Sequence, residues 1–143
     1  MAGATQRILR LYALASNGQQ DAYAFLLAWH GWCHAIDDHV DEAGRPADVV
    51  DLCADAAVLF SSAFYQRFAA SLAPVVAVVA AKYRASLELS GILQDVLRVA
   101  GNDMVLAVAY LTGGQPTVRA VSRALWPIVE ETQFKKEAVP VPA

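Results

Sequence analysis

Residues Tyr23–Glu42, YAFLLAWHGWCHAIDDHVDE, decide how the chain is read. At about 100° per residue their positions sort into two faces of a helix. Phe25, Trp29, Trp32, Ile36 and Val40 form an apolar arc. Tyr23, His30, His34, Asp37 and Asp41 form a second, polar stripe, with Asp38 at its edge and His39 pointing away. Asp37 and Asp41 stand one turn apart, at the i, i+4 spacing that lets two carboxylates share one cation. A long amphipathic helix with a chemically loaded end is therefore the organising element.

The flanking sequence continues in the same vein. Ile8, Leu9, Leu11, Tyr12 and Leu14 predict a helix over 5–16, stopped at Asn17-Gly18. Ala43-Gly44-Arg45-Pro46 predicts a break between the central helix and a third one running to about Ala70. Ser71 and Pro74 predict a restart, giving a fourth helix from Pro74 to Leu89; Ser90-Gly91 either breaks or bends it. A fifth helix, Ile92 to Leu111, should stop at Thr112-Gly113-Gly114, and a last one should run from Gln115 to Lys136 with a kink at Pro127. No strand alternation bounded by hairpin turns appears. The expected fold is all-α: a single-domain bundle of five or six helices over residues 1–136, with 137–143 as a flexible tail.

Composition narrows the function classes. The chain has 143 residues, enough for one sizeable core, and is 57% hydrophobic against 17% charged. The apolar excess is rich in Ala and Val, which suits tight helix packing or a subunit interface, so a homo-oligomer is one expectation. A net charge of −3 leaves no basic footprint for nucleic acid or an anionic membrane. The most apolar run, Leu72 to Ala81, falls short of the roughly 20 residues a membrane span needs. No secretory signal opens the chain, and Cys33 and Cys53 lack zinc or redox spacing, so we expect buried, reduced thiols in a cytoplasmic protein.

Several polar groups are candidates for chemistry. Asp37 and Asp41, with Asp38 beside them, are placed to hold Mg²⁺ or Mn²⁺, and a short hairpin would bring Asp51 and Asp55 towards them. The competing reading makes Asp48, Asp51 and Asp55 a solvated first turn that complements the helix dipole. Asp95, Arg98 and Asn102 share a face of the fifth helix, with Asp103 at its edge; they read as completing ligands, as a diphosphate clamp at Arg98, or as a buried ion-pair network. Gly101 implies close approach of a neighbour. His30 and His34 form an HxxxH pair, either substrate or metal ligands or hydrogen-bonded core. Trp29, Trp32, Phe60, Phe64, Tyr65 and Phe68 are core residues or the lining of an apolar pocket. Lys82, Arg84, Arg98, Arg119 and Arg123 are the cations available to a phosphate.

Asp37-Asp38-His39-Val40-Asp41 resembles the DDxxD motif of class I isoprenoid synthases, and Asn102-Asp103 resembles the start of their second metal motif. That resemblance implies magnesium and a substrate diphosphate; Leu106 and Tyr110 stand where the second motif would supply further ligands. The hairpin also resembles the all-α nucleotide pyrophosphatases (the MazG and dimeric dUTPase group), with Asp38, Asp41 or Glu42 as one acidic motif and Asp51 with Asp55 as the other. The chain as a whole is similar to small helical proteins of phage and prophage genomes, a likeness that implies no activity. Both enzyme resemblances imply a Mg²⁺-dependent, diphosphate-handling protein, with hydrolysis of a nucleotide first and isoprenoid-like diphosphate binding as the alternative. A non-catalytic helical interaction protein is the third expectation.

Overall fold

The computed structural model describes residues 5–42 and 46–134. Among them every regular element is helical. In chain order these are α1 (Gln6–Ser16), α2 (Gln20–Asp41), α3 (Pro46–Phe60), α4 (Ala63–Arg67), α5 (Ala69–Ser86), α6 (Gly91–Arg98) and α7 (Asn102–Val129). A 3₁₀ turn, Val99–Gly101, joins α6 to α7, and a π turn, Glu130–Phe134, follows α7. The all-α bundle expected from the sequence is the observed one. The expected break at 43–45 and the tail at 137–143 lie outside the described residues.

The first stop is built as its residues suggest. Asn17 ends α1 in the left-handed region at φ 48° and Gly18 follows at φ 83°, a conformation that favours Asn and Gly. The same corner is stapled to α7. Asn17 Nδ2 donates to the Thr112 carbonyl at 3.0 Å, and the Thr112 hydroxyl donates to the Ala15 carbonyl at 2.6 Å. These bonds fix the most extensive helix pair of the fold, α1 against α7. Gly114 then turns the chain at φ 70°, so α7 is in effect two rods meeting beside the end of α1.

The expected third and fourth helices divide differently. The chain breaks at Ser61-Ser62, not at Ser71–Pro74. The hydroxyls of Ser61 and Ser62 donate to the carbonyls of Val58 and Leu59 at 3.2 and 2.7 Å, and Gln66 Nε2 donates to Phe60 at 2.6 Å. Three side chains thus satisfy the carbonyls left open at the end of α3. Pro74 instead lies inside α5, where the turn it interrupts faces outward: Ala70, whose carbonyl loses its partner, is exposed to water. The break before α6 is complete, spanning Leu87 to Ser90, which settles the alternatives at Ser90-Gly91. Because a 3₁₀ turn separates Arg98 from Asn102, the single helical face expected for Asp95, Arg98 and Asn102 does not form.

The core runs through Leu11 and Ala15 of α1, Phe25, Leu26 and Trp29 of α2, Phe64, Leu72, and Met104, Val108 and Leu125 of α7. Phe25 stacks against Trp29 and Tyr65 and tilts over Phe64, with ring centroids 5.7 to 6.4 Å apart. Not all apolar surface is enclosed. Val50 and Val58 on α3 and Ile92, Leu93 and Val96 on α6 stand about half or more exposed. Cys53 is exposed too, against the expectation of a buried thiol, because it faces outward on the same α3 surface; Cys33 is half-buried. Among the described residues no helix is long and apolar enough to cross a membrane.

Candidate functional site

An apolar cavity of about 310 Å³ opens where α2, α5 and α6 meet. Its size lies at the lower end of the roughly 300–1,000 Å³ range of small-molecule sites. The aromatic-rich arc of α2 forms one wall: Trp29, Trp32, Ile36 and Val40, with Cys33 and Asp37 beside them. The opposite wall comes from α5, whose small Val76, Val79 and Ala80 leave room that larger side chains would fill. α5 packs on α4, α6 and α7 and makes no comparable packing with α2, so the cavity occupies the place of that interface.

A backbone carbonyl of the 3₁₀ turn ties α2 to this end of the cavity. Trp29 Nε1 donates to the Gly101 carbonyl at 3.0 Å, and a methyl group at Gly101 would stand 3.5 Å from Cys33 Sγ. That separation is an ordinary van der Waals distance, so the close approach expected at Gly101 is not one that requires a glycine. Trp32 Nε1 donates to the Leu52 carbonyl at 3.2 Å, which fixes the second indole and ties α2 to α3. Both tryptophans thus present flat apolar faces with their polar edges already paired. Burial pushes the Cys33 thiol up to about 12, helped by the charge of Asp37, so this sulfur is a neutral wall atom at neutral pH.

Three polar side chains of the lining, Asp37, Tyr83 and Arg98, cluster together at what we term the rim. The Tyr83 hydroxyl donates to Asp37 Oδ1 at 2.5 Å. Arg98 Nη1 donates to Asp41 Oδ1 at 2.9 Å, and its guanidinium carbon lies 5.6 Å from the centre of the Tyr83 ring. Tyr83, burial first and its bond to Asp37 second, has its hydroxyl held above the ordinary phenol range, so it stays protonated as a donor. Arg84 also lines the cavity and pairs with Glu88 at 3.2 Å, both well exposed.

The sequence candidates fall into separate places. Asp37 and Arg98 line the cavity, and Asp41 is tied to it through Arg98. Asp38 is exposed on the far edge of the stripe, and Asp51 and Asp55 are exposed on α3. Asn102 opens α7 half-buried, and Asp103 pairs with Lys82 at 2.7 Å. Asp95 keeps one carboxylate oxygen buried on α6 without a hydrogen-bond partner among the described residues, and does not line the cavity. His30 is buried elsewhere in α2, sharing a 2.9 Å hydrogen bond with the Tyr12 hydroxyl, while His34 is exposed with its ring centroid 4.3 Å from that of His30. Burial, with His34 second, depresses His30 to about 4. Of the aromatic set, Trp29 and Trp32 line the cavity, whereas Phe60, Phe64, Tyr65 and Phe68 pack in and against the core.

As a donor set for a divalent cation the rim is thin. Asp37 commits one oxygen to Tyr83, and Arg98 already supplies Asp41 with a positive charge. Among the described residues no group of three or more His, Cys, Asp and Glu side chains is placed to hold a metal ion. What the arrangement offers is an apolar enclosure with one carboxylate, one phenol and guanidinium groups at its edge.

Tyr83 is the residue the sequence reading passed over. Its signal was its place, the single aromatic hydroxyl in an otherwise Ala- and Val-rich helix. Its importance depends on α5 lying opposite Asp37, which no local pattern reveals. No protein-family model matches the chain, and no significant match exists among curated proteins or solved structures.

Proposed function

We propose that the protein binds a small, largely apolar molecule in the cavity between α2, α5 and α6. The observation that carries this reading is the cavity itself, walled by two indoles with paired N–H groups and by small aliphatic side chains, with Asp37, Tyr83 and Arg98 gathered at one rim. At roughly 30 Å³ per heavy atom, the volume share of a liquid water molecule, the space accepts about ten non-hydrogen atoms. Apolar contact with Trp29, Trp32 and Val79 would supply most of the affinity, and the rim would set orientation.

A second reading keeps diphosphate chemistry. Arg84 and Arg98 both line the cavity, as does Asp37, so an apolar chain there would place its head near the Arg98 guanidinium, with Mg²⁺ on the free oxygens of Asp37 and Asp41. The isoprenoid-like form of that reading fits this rim better than nucleotide hydrolysis, because Asp51 and Asp55 stand exposed on α3.

The test is a titration with an environment-sensitive apolar fluorophore, followed by the emission of the probe and of Trp29 and Trp32. The chain and an Ala80→Trp variant that fills the cavity are compared. Saturable binding, abolished in the filled variant, is expected. Equal binding to both would refute the cavity as the site. Prenyl diphosphate displacing the probe only with Mg²⁺ present would select the second reading.

A further inference from the structure

The side chains of the cavity lining bear on the head group that a ligand there would carry. This inference rests on the cavity being a ligand site. Asp37 Oδ1 is taken by Tyr83, while Oδ2 makes no hydrogen bond among the described residues. Arg98 Nη1 is taken by Asp41, while Nη2 makes no hydrogen bond and Nε is buried without one among the described residues. Both side chains line the cavity, and both contact Tyr83: Asp37 at the hydroxyl, Arg98 over the ring. The lining therefore holds an open acceptor on Asp37 and open donors on Arg98, both beside Tyr83.

Charge at the rim decides among head groups. An anionic head would meet Arg98 but also the carboxylates of Asp37 and Asp41. A cationic head would meet Asp37 but also Arg98. Either would bring a net charge against walls of indole, isoleucine and valine and would give up part of its hydration there. A neutral hydroxyl meets the open acceptor and an open donor at once, since one O–H both donates and accepts. We propose that the cavity binds a small apolar alcohol or phenol, whose hydroxyl donates to Asp37 and accepts from Arg98. Tyr83 is the positioning residue that orients both partners.

Four probes of matched shape separate the possibilities: naphthalene, 2-naphthol, 2-naphthoate and 2-naphthylmethylammonium, each competed at neutral pH against the fluorophore that reports the cavity. Hydrogen bonds to charged groups lead us to expect 2-naphthol to bind about tenfold or more tighter than naphthalene, and tighter than either ion. Asp37→Asn, which keeps the shape of the rim and removes its negative charge, should narrow the gap between 2-naphthol and 2-naphthoate. Equal affinity of naphthol and naphthalene would overturn the hydroxyl assignment while leaving the cavity as a ligand site. Tightest binding of either ion would overturn it too and name the opposite head charge. Failure of all four, together with failure of the fluorophore to bind, would remove the ligand site itself.

Discussion

Lowering the pH from about 7 to about 5 should destabilise the fold by roughly 2 kcal/mol through His30 alone. His30 is 8% exposed, its Nδ1 shares a hydrogen bond with Tyr12, and its Nε2 is buried with no partner among the described residues. The folded protein therefore holds the ring neutral, and its proton affinity is lowered to about 4 from an unfolded value of 6.5. Between those values the unfolded chain binds the extra proton, so stability falls as the pH drops through the window and levels off below it. Above the unfolded value the contribution is complete. With the two values 2.5 apart, the integrated loss approaches about 3 kcal/mol at the acid limit, of which about 2 has been lost by pH 5. The assay is urea denaturation across this range, for the native chain and for His30→Asn, whose amide can keep a hydrogen bond to Tyr12. Other groups titrate in both proteins, so the difference between the two profiles isolates His30. A difference that does not change with pH would refute the reasoning.

Three further outcomes follow from named contacts. Gly113→Ala should destabilise by about 1–3 kcal/mol in thermal unfolding, since its methyl group would meet the Thr117 hydroxyl and stand 2.8 Å from Thr117 Cβ and 3.1 Å from Asn17 Nδ2. Trp29→Phe should cost about 1–3 kcal/mol by leaving the Gly101 carbonyl without its donor, and should weaken probe binding in the same titration. Tyr83→Phe, which deprives Asp37 of a donor at 2.5 Å, should cost about 1–2 kcal/mol in chemical denaturation, and should loosen the preference for a hydroxyl more than it loosens affinity for a hydrocarbon.

The fold was legible because its signals are local. The periodicity of α2, the Asn17-Gly18 stop and the turn at Gly114 each depend on the residues that display them. The division of the middle of the chain was not, for a reason that is also local but subtler. Ser61 and Ser62 end α3 by turning their hydroxyls back on its carbonyls, while Pro74, the louder signal, is accommodated where α5 faces water. The site was half legible. The apolar arc and the Asp37/Asp41 stripe of α2 do meet at one rim, yet their partners depend on where other helices come to lie. Arg98 reaches Asp41 across 57 positions and Tyr83 reaches Asp37 across 46. Asp51 and Asp55 show the converse: close in sequence to the hairpin, they face solvent.

Displacement of a cavity-bound fluorophore by 2-naphthol asks at once whether the space between α2 and α5 is a binding site and whether its rim reads a hydroxyl. Saturable displacement is expected, tighter than by naphthalene, and lost when Ala80→Trp fills the cavity. Fluorophore binding that survives in the filled variant would contradict the proposed site.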